Sequence, residues 1–113
     1  MARTPKPGSV VRGSRTGRPI MALLDLLGRR WTLRIIWELR GGPLAFRALR
    51  EACGDLSPTV LNTRLKELRD SDLVALDKTE GYALTPLGQE LLTCFLPLVD
   101  WAERWARRGG ADP

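Results

Sequence analysis

The chain has 113 residues, which allows one domain with one modest hydrophobic core, and it carries 18 basic and 13 acidic side chains for a net charge of +5. It has no histidine, two widely separated cysteines, no phosphate-binding loop, no dinucleotide fingerprint and no nucleophile elbow, so the sequence argues against an enzyme, a complete metal site and any other cofactor. No apolar run is long enough to span a membrane, no secretory signal is present and the cysteines suit reduced thiols, so we expect no membrane partner and a cytoplasmic location.

The excess positive charge lies at the N-terminus. Residues 1–18 contain five basic residues and no acid, and the other 13 basic residues balance the 13 acids. The five are Arg3, Lys6, Arg12, Arg15 and Arg18. This Pro-, Gly- and Ser-rich segment is predicted to be a flexible arm. It either follows DNA phosphates or a minor groove, or it serves only as a solubilising end.

The compact domain is predicted over residues 19–108, followed by a flexible tail over 109–113. Pro19 suits the first turn of a helix that continues through Ile20–Leu27 and ends at Gly28. Its predicted buried stripe consists of Ile20, Leu23, Leu24 and Leu27. The next predicted elements are a helix over Trp31–Arg40, a short strand over Leu44–Phe46 and a helix over Arg47–Ala52.

The segment Ser57–Leu68 is the most informative part of the chain. Ser57 can cap a helix and Pro58 suits its first turn, while Leu61, Leu65 and Leu68 fall on one face. Polar and basic groups lie largely outside that stripe. The candidate DNA-binding residues here are Ser57, Thr59, Asn62, Thr63, Arg64 and Lys66. Together with the preceding helix this pattern predicts a helix-turn-helix, although similar helix pairs also occur in small domains that bind no DNA.

A β-hairpin is predicted directly after this helix. Leu73–Asp77 and Tyr82–Leu84 are predicted to be strands, and Lys78–Gly81 is predicted to form the turn between them. A hairpin in this position is typical of the wing of a winged helix. Lys78 is its only basic residue and is the candidate for a weak phosphate contact.

The last helix, predicted from Pro86 to about Arg107 with Thr85 as its cap, carries two apolar seams. The first has a heptad rhythm and consists of Leu87, Leu91, Cys94, Leu98, Trp101 and Trp105. The second runs beside it through Leu92, Phe95 or Leu96, Val99, Ala102 and Ala106. One seam is enough to dock the helix on its own domain, and a second subunit would cover the other, since large exposed apolar patches are a liability. The alternative is that both seams enter one core. The candidate dimer-interface residues are Leu91, Cys94, Leu98, Trp101 and Trp105.

The chain resembles the HxlR-type winged helix-turn-helix transcriptional regulators, relatives of the MarR group. The matching motifs are Leu24–Thr32, Gly42–Phe46, Leu56-Ser57-Pro58 with Leu61 and Arg64-Leu65, Leu73-Val74, Tyr82–Gly88 and Trp101–Glu103. The resemblance covers about Pro19 to Arg107. It implies a bacterial homodimer that is joined through its terminal helices and uses two recognition helices to read a palindromic operator in double-stranded DNA.

The chain departs from the family pattern at several positions. Arg18 stands where many members carry a cysteine, which some use to sense oxidants or electrophiles, so that switch is not expected here. Cys53 and Cys94 are instead expected to be core thiols. Asp72 replaces the glycine that usually ends the recognition helix, and it can adopt the left-handed conformation at some cost.

Two other functions remain open at this level. A winged helix can be a protein-interaction module. The chain could also be a sensor for an unidentified small-molecule effector that binds at the dimer interface in a pocket lined by Trp31, Trp37, Trp101 and Trp105.

Overall fold

The computed structural model describes Thr4, Pro7 and residues 17–109 of the chain. Its elements are α1 (Pro19–Leu27), α2 (Thr32–Glu38), a 3-10 turn (Leu39–Gly41), α3 (Phe46–Ala52), α4 (Pro58–Asp70), β1 (Val74–Asp77), β2 (Gly81–Leu84) and α5 (Pro86–Arg108). The prediction of a mainly α domain with one hairpin is confirmed. Within these ranges no helix combines the length and apolar character that crossing a bilayer requires. Most of the predicted arm (1–18) and of the predicted tail (109–113) lies outside the described residues.

The two longest helices begin where the sequence predicts. Ser57 precedes α4, and its Oγ accepts a hydrogen bond from the backbone N–H of Val60 at 3.4 Å. Thr85 precedes α5, and its Oγ1 accepts from the backbone N–H of Gly88 at 3.0 Å. A proline follows each cap, at the position where the missing N–H costs no helical hydrogen bond. These caps fix the start of the helix-turn-helix's second helix and of the terminal helix.

The hydrophobic core lies where α2, α3 and α4 meet, with the hairpin and the start of α5 closing one side. Leu61, Leu65 and Leu68 are at most 1% exposed, so the leucine face predicted for α4 is confirmed. The other fully buried aliphatic side chains are Ile35, Ile36, Leu39 and Leu49. Burying this face turns the opposite side of α4 to solvent.

The buried side of α1 differs from the predicted stripe. Ala22 and Leu26 are buried, whereas Ile20 and Leu24 are 52% and 55% exposed. Leu23 and Leu27, the other two members of that stripe, are half-buried. The helix is apolar around more than half of its circumference, so periodicity cannot decide which part faces the core. Ala22 and Leu26 face the core and Leu27 packs at its edge, whereas Ile20 and Leu24 remain exposed.

Two predicted elements before the helix-turn-helix are shorter than expected. The helix predicted over Trp31–Arg40 begins at Thr32, because Trp31 has the left-handed φ of 80°, and it tightens to a 3-10 turn after Glu38. The strand predicted over Leu44–Phe46 is a single bridge, in which Leu44 and Tyr82 exchange backbone hydrogen bonds of 2.9 and 2.8 Å. Phe46 instead begins α3.

The wing is an antiparallel hairpin that is anchored on both sides. β1 pairs with β2 in the register Val74 to Leu84 through Asp77 to Gly81. Gly81 has φ 101°, and a Cβ there would lie 2.4 Å from the carbonyl oxygen of Leu44. The backbone at Leu44, which runs beside β2, therefore comes too close for any residue but glycine at this position. Asp72 has φ 61°, as predicted for the turn between α4 and β1.

The prediction that both cysteines are core thiols is half right. Cys53 is buried, and desolvation raises the pKa of its thiol while nearby Arg34 partly offsets the rise. Cys94 is exposed. It lies on the first seam of α5, and within the described residues the domain does not cover that part of the helix.

Candidate nucleic-acid interface

The turn of the helix-turn-helix joins α3 to α4 through residues 53–57. Two of its residues, Gly54 and Asp55, have left-handed φ values of 76° and 60°. Arg50 Nε donates to the carbonyl oxygen of Leu56 at 2.7 Å, and the N–H of Leu56 donates back to the carbonyl oxygen of Arg50 at 3.3 Å. Leu56 is itself buried, so the reciprocal pair fixes the angle at which α4 leaves the turn.

The solvent-facing side of α4 carries four of the predicted DNA-binding residues. Thr59, Asn62 and Lys66 are exposed and Thr63 is half-buried, at the one-turn spacing that places them on a single strip. We call these four residues the reading face. Thr63 Oγ1 donates to the carbonyl oxygen of Thr59 at 3.0 Å, and Lys66 Nζ lies 2.9 Å from an Asp70 carboxylate oxygen. The Lys66 side chain is 76% exposed, so this ion pair is weak and an approaching phosphate can replace it.

Ser57 lies at the amino end of the same helix. It is exposed, and α4 is 13 residues long. The first N–H groups of a helix carry partial positive charge and point along the axis, which suits a phosphate. Ser57 therefore stands at the edge of the reading face and also caps the helix.

Arg64 is not on the reading face. Its Nε donates to the carbonyl oxygen of Arg30 at 2.6 Å, and its Nη1 lies 3.3 Å from a carboxylate oxygen of Glu67. Its side chain is 21% exposed. The structure thus places this guanidinium beside the turn between α1 and α2, on the flank of α4.

The wing tip carries Lys78 as an exposed residue. Asp77 Oδ1 accepts hydrogen bonds from the backbone N–H groups of Thr79 at 2.7 Å and Glu80 at 3.0 Å. These bonds favour the charged form and hold the pKa of the Asp77 carboxyl below its usual value. The sequence reading missed this role for Asp77, although an aspartate at the start of a tight turn is a recognised signal.

The first seam of α5 is largely uncovered. Leu87, Leu98, Trp101 and Trp105 are 47%, 56%, 51% and 65% exposed, Cys94 is exposed and Leu91 is half-buried. The rings of Trp101 and Trp105 stack with centroids 5.9 Å apart. In the second seam Leu92 is buried and Phe95 packs against the core, whereas Leu96 and Val99 are 48% and 40% exposed. The two seams do not both enter one core, and the distal half of α5 presents a continuous apolar surface.

An apolar groove of about 420 Å³ lies between α1 and α5. Its apolar lining consists of Pro7, Pro19, Ala22, Leu23, Leu26, Leu73, Leu87, Leu91 and Cys94. The described residues that line it include none of the four tryptophans. Trp31 and Trp37 pack against the core, with Arg30 and Arg40 over their rings at 5.5 and 4.0 Å.

Comparison with known proteins identifies the family. The model of HxlR-like helix-turn-helix proteins matches residues 26–109, most of the chain. The chain belongs to this HxlR-like family. It is 31% identical over 90 residues to an uncharacterised HTH-type transcriptional regulator of Methanocaldococcus jannaschii, and the alignment covers 75% of this chain and 83% of that protein.

Solved structures agree with this assignment. The quinone-bound form of YodB from Bacillus subtilis matches with a TM-score of 0.69 at 33% identity, over 75% of this chain and 94% of that one. A possible HxlR family transcriptional factor from Thermoplasma volcanium matches with a TM-score of 0.67 at 32% identity, over 75% and 82% of the two chains. The predicted winged helix-turn-helix fold and the predicted role as a DNA-binding transcriptional regulator of the HxlR type are confirmed.

Proposed function

We propose that this HxlR-like regulator acts as a homodimer that presents two copies of α4 to a palindromic operator. The observation that carries this proposal is the combination of an exposed polar reading face on α4 with an uncovered apolar seam on α5. The first surface is suited to base edges and the second to a like surface on another subunit. Because its relatives are transcriptional regulators, we also propose a non-enzymatic protein that works without a cofactor. Because a regulator has to reach the DNA, we propose a cytoplasmic location.

The reading face supplies the chemistry for base recognition. Asn62 can pair bidentately with adenine, and the methyl groups of Thr59 and Thr63 can contact the methyl group of thymine. Lys66, Ser57 and Lys78 are proposed to contact phosphates, which fix the register on the duplex without reading the sequence. This division predicts that Asn62 affects specificity and that the lysines affect affinity on any duplex.

The case for a dimer depends on the exposed residues of α5. Leu91, Cys94, Leu98, Trp101 and Trp105 recur at heptad spacing, which is the pattern of a helix that packs on a parallel or antiparallel partner helix. Tryptophans on such a surface are typical anchors of protein interfaces. A twofold pair of recognition helices has to meet half-sites separated by about 34 Å, one helical turn of DNA.

The DNA-binding part is tested by selecting tight-binding duplexes from a random library and then measuring affinity over a range of salt concentrations. We expect selection of a twofold-related sequence and a steep loss of affinity as salt rises, because lysine–phosphate contacts release counterions. Asn62→Ala should weaken binding to the selected duplex about tenfold or more, since a bidentate base contact contributes about 1–3 kcal/mol. Gln89→Ala, an exposed substitution on α5 outside the seam, is the control. Absence of binding by the unchanged protein even at low salt would contradict the proposal.

The dimer is tested by placing a charge in the seam. Trp101→Glu, or Leu98→Glu, buries a carboxylate in the proposed interface and should convert the protein to monomers in sedimentation experiments. Gln89→Glu adds the same charge to an exposed position outside the seam and should leave the dimer intact. If the Trp101 and Leu98 variants both remain dimeric, the interface lies elsewhere.

The alternatives are less well supported. Exposed Asn62 and Lys66 on one strip of α4, in a family of HTH-type regulators, favour DNA over a protein partner. The small-molecule effector stays a prediction of the sequence. YodB has a quinone-bound structure, which supports an effector for this family member. In this chain Trp101 and Trp105 are exposed on the seam of α5, whereas Trp31 and Trp37 pack against the core.

A further inference from the structure

A buried ion-pair network joins α4 to the first part of the domain. Glu67 is the only buried charged residue among those described, and its side chain is 9% exposed. Both of its carboxylate oxygens are used: Oε2 lies 2.6 Å from Arg29 Nη1, and Oε1 lies 3.3 Å from Arg64 Nη1. We call Arg29, Arg64 and Glu67 the flank network.

Each arginine of the flank network also binds a second segment. Arg29 Nη2 lies 3.3 Å from a carboxylate oxygen of Asp25, one turn earlier in α1. Arg64 Nε donates to the carbonyl oxygen of Arg30 at 2.6 Å. The network therefore fixes α4 relative to both α1 and the turn that follows it. Its hydrogen bonds are directional and set an orientation, which a hydrophobic contact does not do.

With Asp25 counted beside the flank network, two positive charges face two negative charges. Two guanidinium groups face the two carboxylates of Asp25 and Glu67, and the Arg29 side chain is only 14% exposed. Removing one partner of such a pair leaves an uncompensated charge near the core, which is strongly unfavourable. Arg64 is the most exposed side chain of the flank network and follows Thr63 of the reading face in the chain. If Glu67 is replaced by a neutral residue, Arg64 is therefore the side chain that can turn to a DNA phosphate.

We infer that Glu67 and Arg64 are positioning residues that determine sequence specificity. Glu67 holds Arg64 against the Arg30 carbonyl, and this contact sets the orientation of α4. It also keeps the Arg64 guanidinium from binding DNA phosphates, a contact that would not depend on the base sequence. This inference rests on the proposed function of the reading face. It replaces the sequence-based expectation that Arg64 contacts DNA directly.

The two roles of Arg64 predict different salt dependence. A phosphate contact contributes about 0.9 to the slope of log affinity against log salt for each protomer. A positioning residue contributes nothing to that slope, and its loss lowers the ratio of affinities for specific and non-specific duplexes. The side chain of lysine also separates the roles, because it can replace a phosphate contact but lacks the fork that reaches Glu67 and the Arg30 carbonyl together.

The experiment uses the full chain with a duplex selected by the unchanged protein and a scrambled duplex of the same length. Arg64→Ala and Arg64→Lys should both bind the selected duplex about tenfold more weakly, with an unchanged salt slope on the scrambled duplex. Glu67→Gln should bind the scrambled duplex more tightly, with a slope steeper by about 0.9 for each protomer that engages. This increment should disappear in the double variant Glu67→Gln with Arg64→Ala, because it comes from the released Arg64.

The contrary results are distinct. If Arg64→Ala lowers the salt slope by about 0.9 per protomer and Arg64→Lys restores it, Arg64 is a phosphate ligand and the inference is wrong. The two Arg64 variants decide this even if Glu67→Gln does not fold, which circular dichroism reports. If the unchanged protein selects no duplex from the random library even at low salt, the proposed function itself fails.

Discussion

Gly88 is a position at which adding a single methyl group should destabilise this domain. The residue is buried in the first turn of α5, and a Cβ there would lie 2.1 Å from the carbonyl oxygen of Leu73 and 3.3 Å from the Cβ of Leu84. The same carbonyl accepts a hydrogen bond from the backbone N–H of Thr85 at 3.0 Å. The neighbour that has to move is therefore hydrogen-bonded backbone and not the end of a flexible side chain.

The size of the effect follows from this geometry. Restoring ordinary contact at about 3.5 Å requires the start of α5 and the residue before β1 to separate by about 1.4 Å. Overpacking of this kind costs about 1–3 kcal/mol, and alanine regains up to about 1 kcal/mol in helix propensity. Because the contact is with backbone, we expect Gly88→Ala to lower the free energy of unfolding by about 2 kcal/mol, which corresponds to a fall in Tm of about 10 °C.

Chemical denaturation followed by circular dichroism measures this change, at one protein concentration because self-association would shift the midpoint. Gly41→Ala is the matched control, since a Cβ there meets nothing within 4 Å. It should change stability by less than about 0.5 kcal/mol. A Gly88→Ala protein as stable as its parent would show that α5 does not pack against Leu73 as closely as described.

Two further predictions concern buried side chains. Thr32 is 1% exposed, and its Oγ1 has no hydrogen-bond partner in the described part of the chain. The near-isosteric Thr32→Val should therefore stabilise the protein by about 1 kcal/mol in the same assay, whereas Thr32→Ser should not. A valine variant less stable than the parent would mean that the hydroxyl has a hydrogen-bond partner. In a Cys94→Ala background, Cys53 should react with a disulfide reagent only after unfolding in guanidinium, because its side chain is inaccessible at 2% exposure and burial also raises the pKa of its thiol. Rapid labelling of the folded protein at mildly alkaline pH would contradict that burial.

The sequence alone determined the elements whose signals are local. Cap-plus-proline pairs at Ser57 and Thr85 mark the starts of α4 and α5, and leucine spacing identifies the inward face of α4. Such signals involve residues within one or two turns, so they can be read without knowing what lies nearby. The wing follows from two short apolar segments on either side of a polar turn, for the same reason.

Only the tertiary structure decided which of several similar groups is used. On α1, apolar residues cover more than half of the helix, and packing selects Ala22 and Leu26 over Ile20 and Leu24. On α4, Arg64 and Lys66 are both basic and two residues apart, yet contacts with Arg30 and Glu67 hold the first on the flank while the second stays exposed. The contact between Arg64 and Arg30 joins residues more than 30 positions apart, and no local sequence pattern encodes a pairing over such a distance.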